Sequence, residues 1–142
     1  MNLFLDSSVW SEAFRRKTKS IKSEDTFLFH IIRNEDEIFL TGIILQEILT
    51  GIKNPKLFED IKEHLRFFNY LVPSNQDHIF AAKLRNDLAK KGITVATIDV
   101  LIAQIAISND LILATYDSDF TKIANNSKLQ IINFEDYKKR KR

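Results

Sequence analysis

With 142 residues, 44% of them hydrophobic and eleven of them Phe, the chain has material for one packed core and no room for two domains. It has no Cys, which excludes a disulfide framework and a thiolate metal site and fits a reducing cytoplasm. The net charge is +2, but the last five residues, Lys138-Lys139-Arg140-Lys141-Arg142, carry +5 and leave the body at −3. The apolar stretches are interrupted within a few residues, far short of the roughly 20 that a membrane helix needs. Residues 1–6 lack the basic and long apolar regions of a signal peptide. These features predict a soluble, cytoplasmic protein with a folded domain over residues 1–134 and a basic, solvated tail over 135–142.

Leu3-Phe4-Leu5 is a short apolar run, read as a buried strand. Asp6-Ser7-Ser8 follows with good helix-capping residues, so a helix is expected over residues 9–14. Residues 15–22 form a basic, polar connection. Phe27, Leu28, Ile31 and Ile32 have helical spacing within residues 24–33. Ile38-Phe39-Leu40 predicts a second strand, and residues 42–52 an apolar helix. Asn54-Pro55 supplies an N-cap and a first-turn proline for a helix over residues 55–68. Tyr70-Leu71-Val72 predicts a third strand, ended by Pro73. Ser74 and Asp77 form a capping-box start for a helix that runs to Lys91 and stops at Gly92. Thr97 is read as the cap of a helix over residues 98–108. Leu111-Ile112-Leu113-Ala114 and Gln130-Ile131-Ile132 predict the fourth and fifth strands. Continuously apolar strands alternating with helices argue for a parallel sheet covered on both faces. Strand order does not follow from the pattern.

Four acids stand in unusual places. Asp6 closes the first strand and Asp117 follows the fourth, and ligands of open parallel sheets bind beyond the carboxyl ends of the strands. Asp99 begins a helix that is apolar nearly all round: Val100, Leu101, Ile102, Ala103, Ile105, Ala106 and Ile107. Such a helix is buried. Glu47 lies in Ile43-Ile44-Leu45-Gln46-Glu47-Ile48-Leu49, read as another largely buried helix. A buried carboxylate must be paired, protonated or metal-bound.

Each acid also admits a purely structural role. Asp6 can cap the next helix. Asp99 can serve the helix dipole. Glu47 can face solvent on a polar stripe with Gln46 and Thr50. Asp117 can be a turn residue in Tyr116-Asp117-Ser118-Asp119. Four separate elements bringing acids to one edge weakens these readings jointly. Lys and Arg are absent from residues 1–14, 38–52, 92–109 and 111–121, so no base within these motifs neutralises the group. Like charges so placed raise one another's pKa values. A hard divalent cation resolves the conflict: Mg²⁺ takes oxygen ligands and keeps waters for a phosphate and a nucleophile.

These residues carry a resemblance. Leu5-Asp6-Ser7-Ser8-Val9, Leu45-Gln46-Glu47-Ile48, Asp99-Val100-Leu101-Ile102-Ala103 and Ala114-Thr115-Tyr116-Asp117-Ser118-Asp119-Phe120 resemble, in order, the four acidic motifs of PIN domains. More narrowly, they resemble those of the VapC-type toxin ribonucleases of bacterial and archaeal toxin–antitoxin pairs. The intervals of 41, 52 and 18 residues between the four acids suit a compact domain of this kind. The resemblance spans Leu3 to about Phe134.

It implies a three-layer α/β/α domain with a central parallel sheet of about five strands. It also implies hydrolysis of RNA phosphodiester bonds with Mg²⁺ or Mn²⁺. Asp6, Asp99 and Asp117 would be metal ligands, and Glu47 a ligand or the group that orients the attacking water. Asp119 would be a supporting acid, and Ser8 and Thr115 would hydrogen-bond the carboxylates. A small antitoxin would cover the groove, and the toxin would form a homodimer.

Arg15, Arg16 and Lys17, with Lys19 and Lys22, are candidates for RNA phosphate contacts beside the site, or a solvated basic loop. The terminal basic run has the same two readings. Trp10 and Phe14 share a helix face that suits core or partner packing better than base stacking. His30, His64 and His78 show no metal-ligand spacing. Two other functions are weighed. A catalytically silent PIN-like module that binds RNA or a partner is disfavoured by the intact acid set. A phosphoacceptor receiver would need a Lys at a late strand end, where this chain has Thr115-Tyr116-Asp117.

Overall fold

A computed structural model describes the backbone of residues 1–19 and 23–141 and the side chains of 1–14 and 24–141. Strand β1 is Asn2–Leu5, followed by helix α1, Ser7–Lys19, a 3-10 turn at Ser23–Asp25 and helix α2, Phe27–Arg33. Strand β2, Glu37–Thr41, leads into α3, Gly42–Leu49, and α4, Pro55–Leu65. Strand β3, Asn69–Leu71, is followed by α5, Asn75–Lys90, and α6, Thr97–Ser108. The chain continues through β4, Ile112–Ala114, α7, Asp119–Ala124, β5, Gln130–Ile132, and α8, Phe134–Arg140.

All strand pairings are parallel, in the order β3-β2-β1-β4-β5. The chain winds one way from β1 to β3, then returns past β1 and winds the other way through β4 and β5. With right-handed crossovers the two halves place their helices on opposite faces of the sheet. The contacts agree: α1 packs on α2 and α3, α3 on α4, and separately α5 on α6 and α6 on α7. The expected three-layer α/β/α domain is the observed one. Leu3, Phe4, Leu5, Leu40, Leu113 and Ala114 are fully buried, as strands covered on both faces must be.

The reversal lies between β1 and β4, where Leu5 pairs with Ala114. The next residue of each strand, Asp6 and Thr115, therefore meets at the carboxyl edge. This is the position at which doubly wound sheets open a crevice.

Local signals explain most boundaries. Asn54 Oδ1 accepts from the Leu57 N–H at the start of α4, with Pro55 in the first turn. Ser74 and Asp77 form the reciprocal capping box of α5. Gly92, at φ +78°, ends α5: its N–H donates to Ala89 O and that of Ile93 to Leu88 O, both at 3.0 Å. One cap differs from expectation. The N-cap of α6 is Ala96, with no side-chain bond, and Thr97 is the first helical residue. Asp99 still falls in the first turn.

The basic terminus is not a free tail over its described length. It forms α8, capped by Asn133, with Tyr137 fully buried against Phe27. The Tyr137 hydroxyl donates to Asp36, whose carboxylate also receives the Met1 amino group at 2.7 Å and Lys141 Nζ at 2.8 Å. One side chain thus ties the first residue, the turn before β2 and the last described helix.

Candidate metal centre

Asp6 is the centre of the network at the carboxyl edge. It is 4% exposed, and its oxygens are held from both sides. Oδ1 accepts from the Ser8 N–H at 3.0 Å and from the Ser8 hydroxyl. Oδ2 accepts from the Thr115 hydroxyl at 2.6 Å. The Ser8 N–H bond is a helix cap, so the capping reading of Asp6 holds alongside any ligand role. Burial pushes the Asp6 carboxyl above its ordinary pKa, against the Ser8 and Thr115 hydrogen bonds that favour the charged form.

Thr115 passes the order on. Its Oγ1 accepts from the Asp117 N–H at 2.9 Å, and Asp117 Oδ1 accepts from the Asp119 N–H at 2.9 Å. Ser8 Oγ accepts from the Tyr116 N–H at 3.0 Å. The loop after β4 is therefore threaded onto Asp6 and α1 by successive short-range bonds, which set where its two acids point.

Asp99 arrives from the opposite layer on α6, whose residues Val100, Ile102, Ala103, Ile105 and Ala106 are buried and hold the helix rigidly against the sheet. Carboxylate oxygens of Asp99, Asp117 and Asp119 lie within 4.8 Å of one another. The Asp99 carboxyl is raised to about 6, first by desolvation and then by the charges of Asp117, Asp119 and Asp6. Glu47 is exposed on α3 beside Gln46 and Thr50, so it is not the buried glutamate expected. Its carboxyl is nonetheless raised, by desolvation first and then by Asp99 and Asp6. Four elements thus bring five acids within electrostatic reach of one another, with Asp99 in the middle.

Among the described residues, one base forms an ion pair with any of these acids: Lys122 Nζ, 3.7 Å from Asp119 Oδ1 on the exposed side of α7. Such an exposed pair is weak. An oxygen-only donor set carrying excess negative charge fits a hard divalent cation of the Mg²⁺ or Mn²⁺ kind, and fits a soft metal poorly. The mutually closest trio is Asp99, Asp117 and Asp119, whereas Asp6 spends lone pairs on Ser8 and Thr115. Asp119 is thus more central than expected of a supporting acid. Its signal is the Asp117-Ser118-Asp119 spacing, which puts two carboxylates at one helix start.

The other candidates fall elsewhere. The side chains of Arg15, Arg16 and Lys17, and of Lys19 and Lys22, lie outside the described residues. Trp10 is 1% exposed, edge-on to Phe68 at 5.0 Å, and its Nε1–H donates to Leu5 O at 3.3 Å, so it is a core residue. His30, His64 and His78 stand on α2, α4 and α5, and none belongs to the acids' metal-ligand group. Tyr116, within the fourth motif, carries no sequence signal of its own. It is 43% exposed, next to Asp117, with its hydroxyl near the Glu12 carboxylate of α1.

Comparison with solved structures agrees with this topology. The fold resembles that of DNA-bound VapBC from Salmonella typhimurium, with TM-score 0.75 and 22% identity over 94% of this chain and 98% of that one. It resembles VapBC-1 from nontypeable Haemophilus influenzae, with TM-score 0.74 and 22% identity over 95% and 99%. VapBC-5 from Mycobacterium tuberculosis, a member of the VapBC family of toxin–antitoxin systems, gives TM-score 0.67 and 21% identity over 94% and 99%. At such identities these likenesses establish the fold alone. No curated protein matches the chain. The family model described as the PIN domain matches residues 3–126, a span that begins in β1 and takes in all five acids. By that match over most of its length, the chain belongs to the PIN domain family.

Proposed function

We propose that the protein is a metal-dependent endoribonuclease, hydrolysing RNA phosphodiester bonds with Mg²⁺ or Mn²⁺, and that it is the toxin of a toxin–antitoxin pair. The observation that carries the reading is the convergence of Asp99, Asp117 and Asp119 within 4.8 Å, with the charges of Asp6 and Glu47 acting on Asp99 or felt from it. PIN family membership supports a nuclease, and the toxin–antitoxin complexes among the structural neighbours support an antitoxin partner.

Asp99, Asp117 and Asp119 would hold the cation, with Asp6 ordering them and contributing its remaining lone pairs. A bound divalent ion lowers the pKa of a coordinated water and offsets charge on phosphoryl oxygens. The chain's own residues do the rest. Ser8 and Thr115 fix the Asp6 carboxylate, and Thr115 fixes the backbone before Asp117. Glu47, exposed and with a raised pKa, is suited to take a proton from the attacking water at its carboxylate. Water adds to phosphorus, one P–O ester bond breaks, and a phosphate monoester and a hydroxyl are released.

The groove of about 320 Å³ between α1, α2 and α4, lined by Phe14, Leu28, Leu57 and Ile61, is the surface we assign to the antitoxin. A homodimer working in the cytoplasm completes the reading. No helix among the described residues is long and apolar enough to cross a membrane. The test is cleavage of a total-RNA pool by purified protein with Mg²⁺ or Mn²⁺, with chelator, and beside Asp6→Asn. Cleavage that needs both the metal and Asp6 is expected. Cleavage that survives chelation refutes a metal nuclease.

A further inference from the structure

Tyr116 sits between Thr115, which holds Asp6, and Asp117, a member of the acid trio. An aromatic residue at such a place needs a reason, because it is 43% exposed beside a cluster of charges. It is not a loose surface residue. Its backbone N–H donates to Ser8 Oγ at 3.0 Å. Its hydroxyl lies near the Glu12 carboxylate of α1. The Glu12 carboxylate also accepts the Phe27 N–H at 2.9 Å, so it is itself held in place. The ring meets Phe27 edge-on, with centroids 5.9 Å apart and planes at 78°. Phe27 is fully buried and stacked on Phe134, so the support beneath Tyr116 is core. The backbone and one side of the ring are held, and a remaining part of the residue is open.

A rigid aromatic surface with its orientation fixed in advance is what a nucleobase stacks on at low entropic cost. Resting on the ribonuclease reading above, we infer that Tyr116 is a substrate-binding residue that stacks an unpaired base of RNA next to the phosphate held at the acid cluster. Stacking tolerates any base, so Tyr116 would supply affinity and register without reading sequence. It favours single-stranded over duplex RNA, whose bases are already stacked on each other.

The test separates the base from the backbone. Binding is measured by fluorescence anisotropy in the Asp99→Asn background, so that RNA is not consumed. Two probes are used: a random-sequence RNA 12-mer and an abasic 12-mer of equal length. Tyr116→Ala and Tyr116→Leu should weaken binding of the RNA about 10- to 100-fold and leave the abasic probe unchanged. Tyr116→Phe should bind both probes as the parent does. Leu keeps the apolar packing on Phe27, so it stands in if Ala unfolds. Equal losses on both probes would show that Tyr116 only shapes the loop, and would overturn the stacking role. So would Leu or Ala variants that bind RNA like the parent. If RNA binds no better than the abasic probe even with Tyr116 intact, the stacking role also falls. Cleavage of total RNA by the unmutated protein then shows whether the nuclease reading falls with it.

Discussion

Thr115 Oγ1 lies 2.6 Å from Asp6 Oδ2, joining the ends of two neighbouring strands that are 109 residues apart in sequence. The same oxygen accepts the Asp117 N–H. One hydroxyl therefore satisfies a buried carboxylate and positions the next acid, which explains why a threonine stands where a strand ends. Thr115→Val should leave Asp6 Oδ2 and the Asp117 N–H short of partners. The expected cost is about 2 kcal/mol in urea unfolding, with a further rise in the Asp6 pKa. Unchanged stability would mean that water replaces the hydroxyl without loss.

Asp99 stores unfavourable charge. Its pKa is raised to about 6, so near neutral pH its ionised form opposes folding in the absence of metal. That shift corresponds to at most ~3 kcal/mol, and solvent screening at this partly open site brings it nearer ~1. Asp99→Asn should raise the metal-free melting temperature by about 2–4 °C and abolish cleavage. A lower melting temperature would show that Asp99 makes a favourable contact that is lost.

Asp36 is the opposite case. Burial pushes its carboxyl up, but the bonds from Lys141, the Met1 amine and Tyr137 outweigh it and hold the pKa below the ordinary aspartate value. A depressed carboxylate contributes stability that is complete above its unfolded value and is lost as pH falls through the folded one. Between pH 5 and pH 2 the urea midpoint of the parent should therefore fall more steeply than that of Asp36→Asn. Parallel curves would remove Asp36 from the acid-labile contacts.

The terminal helix separates two effects of one basic run. Lys141 reaches Asp36, whereas Lys139 and Arg140 are exposed. Replacing Lys139 and Arg140 with Gln should leave stability within about 0.5 kcal/mol and flatten the salt dependence of RNA binding. Lys141→Met should cost about 1 kcal/mol. If the Gln pair leaves the salt slope unchanged, these two side chains do not meet phosphate.

Much of this architecture was legible in the residues. Five strands and six helices announce themselves through apolar runs, Asn54-Pro55, the Ser74/Asp77 box and Gly92, because each is a local signal. Helix α8 was hidden, since its basic run reads as a solvated end while its core contacts, Tyr137 and Phe134, pack on an element over a hundred positions away. Helix α7 was hidden by its six-residue length. Strand order was also beyond reach, because it depends on which crossovers reverse. Within the site, Asp6, Asp99 and Asp117 stood out as acids at strand ends or on an apolar helix. Glu47 stood out for the wrong reason, since its raised pKa comes with exposure on α3 and not with full burial. The nearness of Asp119 to Asp99 is a contact between two neighbouring helices, α6 and α7, that no spacing in the sequence contains.

The most direct test of a single shared metal centre is a Mn²⁺ titration by calorimetry of the parent, Asp99→Asn and Asp119→Asn. Saturable binding by the parent and at least about tenfold weaker binding by both variants is expected. Binding by Asp99→Asn equal to that of the parent would contradict the assignment, and the five acids would then be charges on one edge without a common ion.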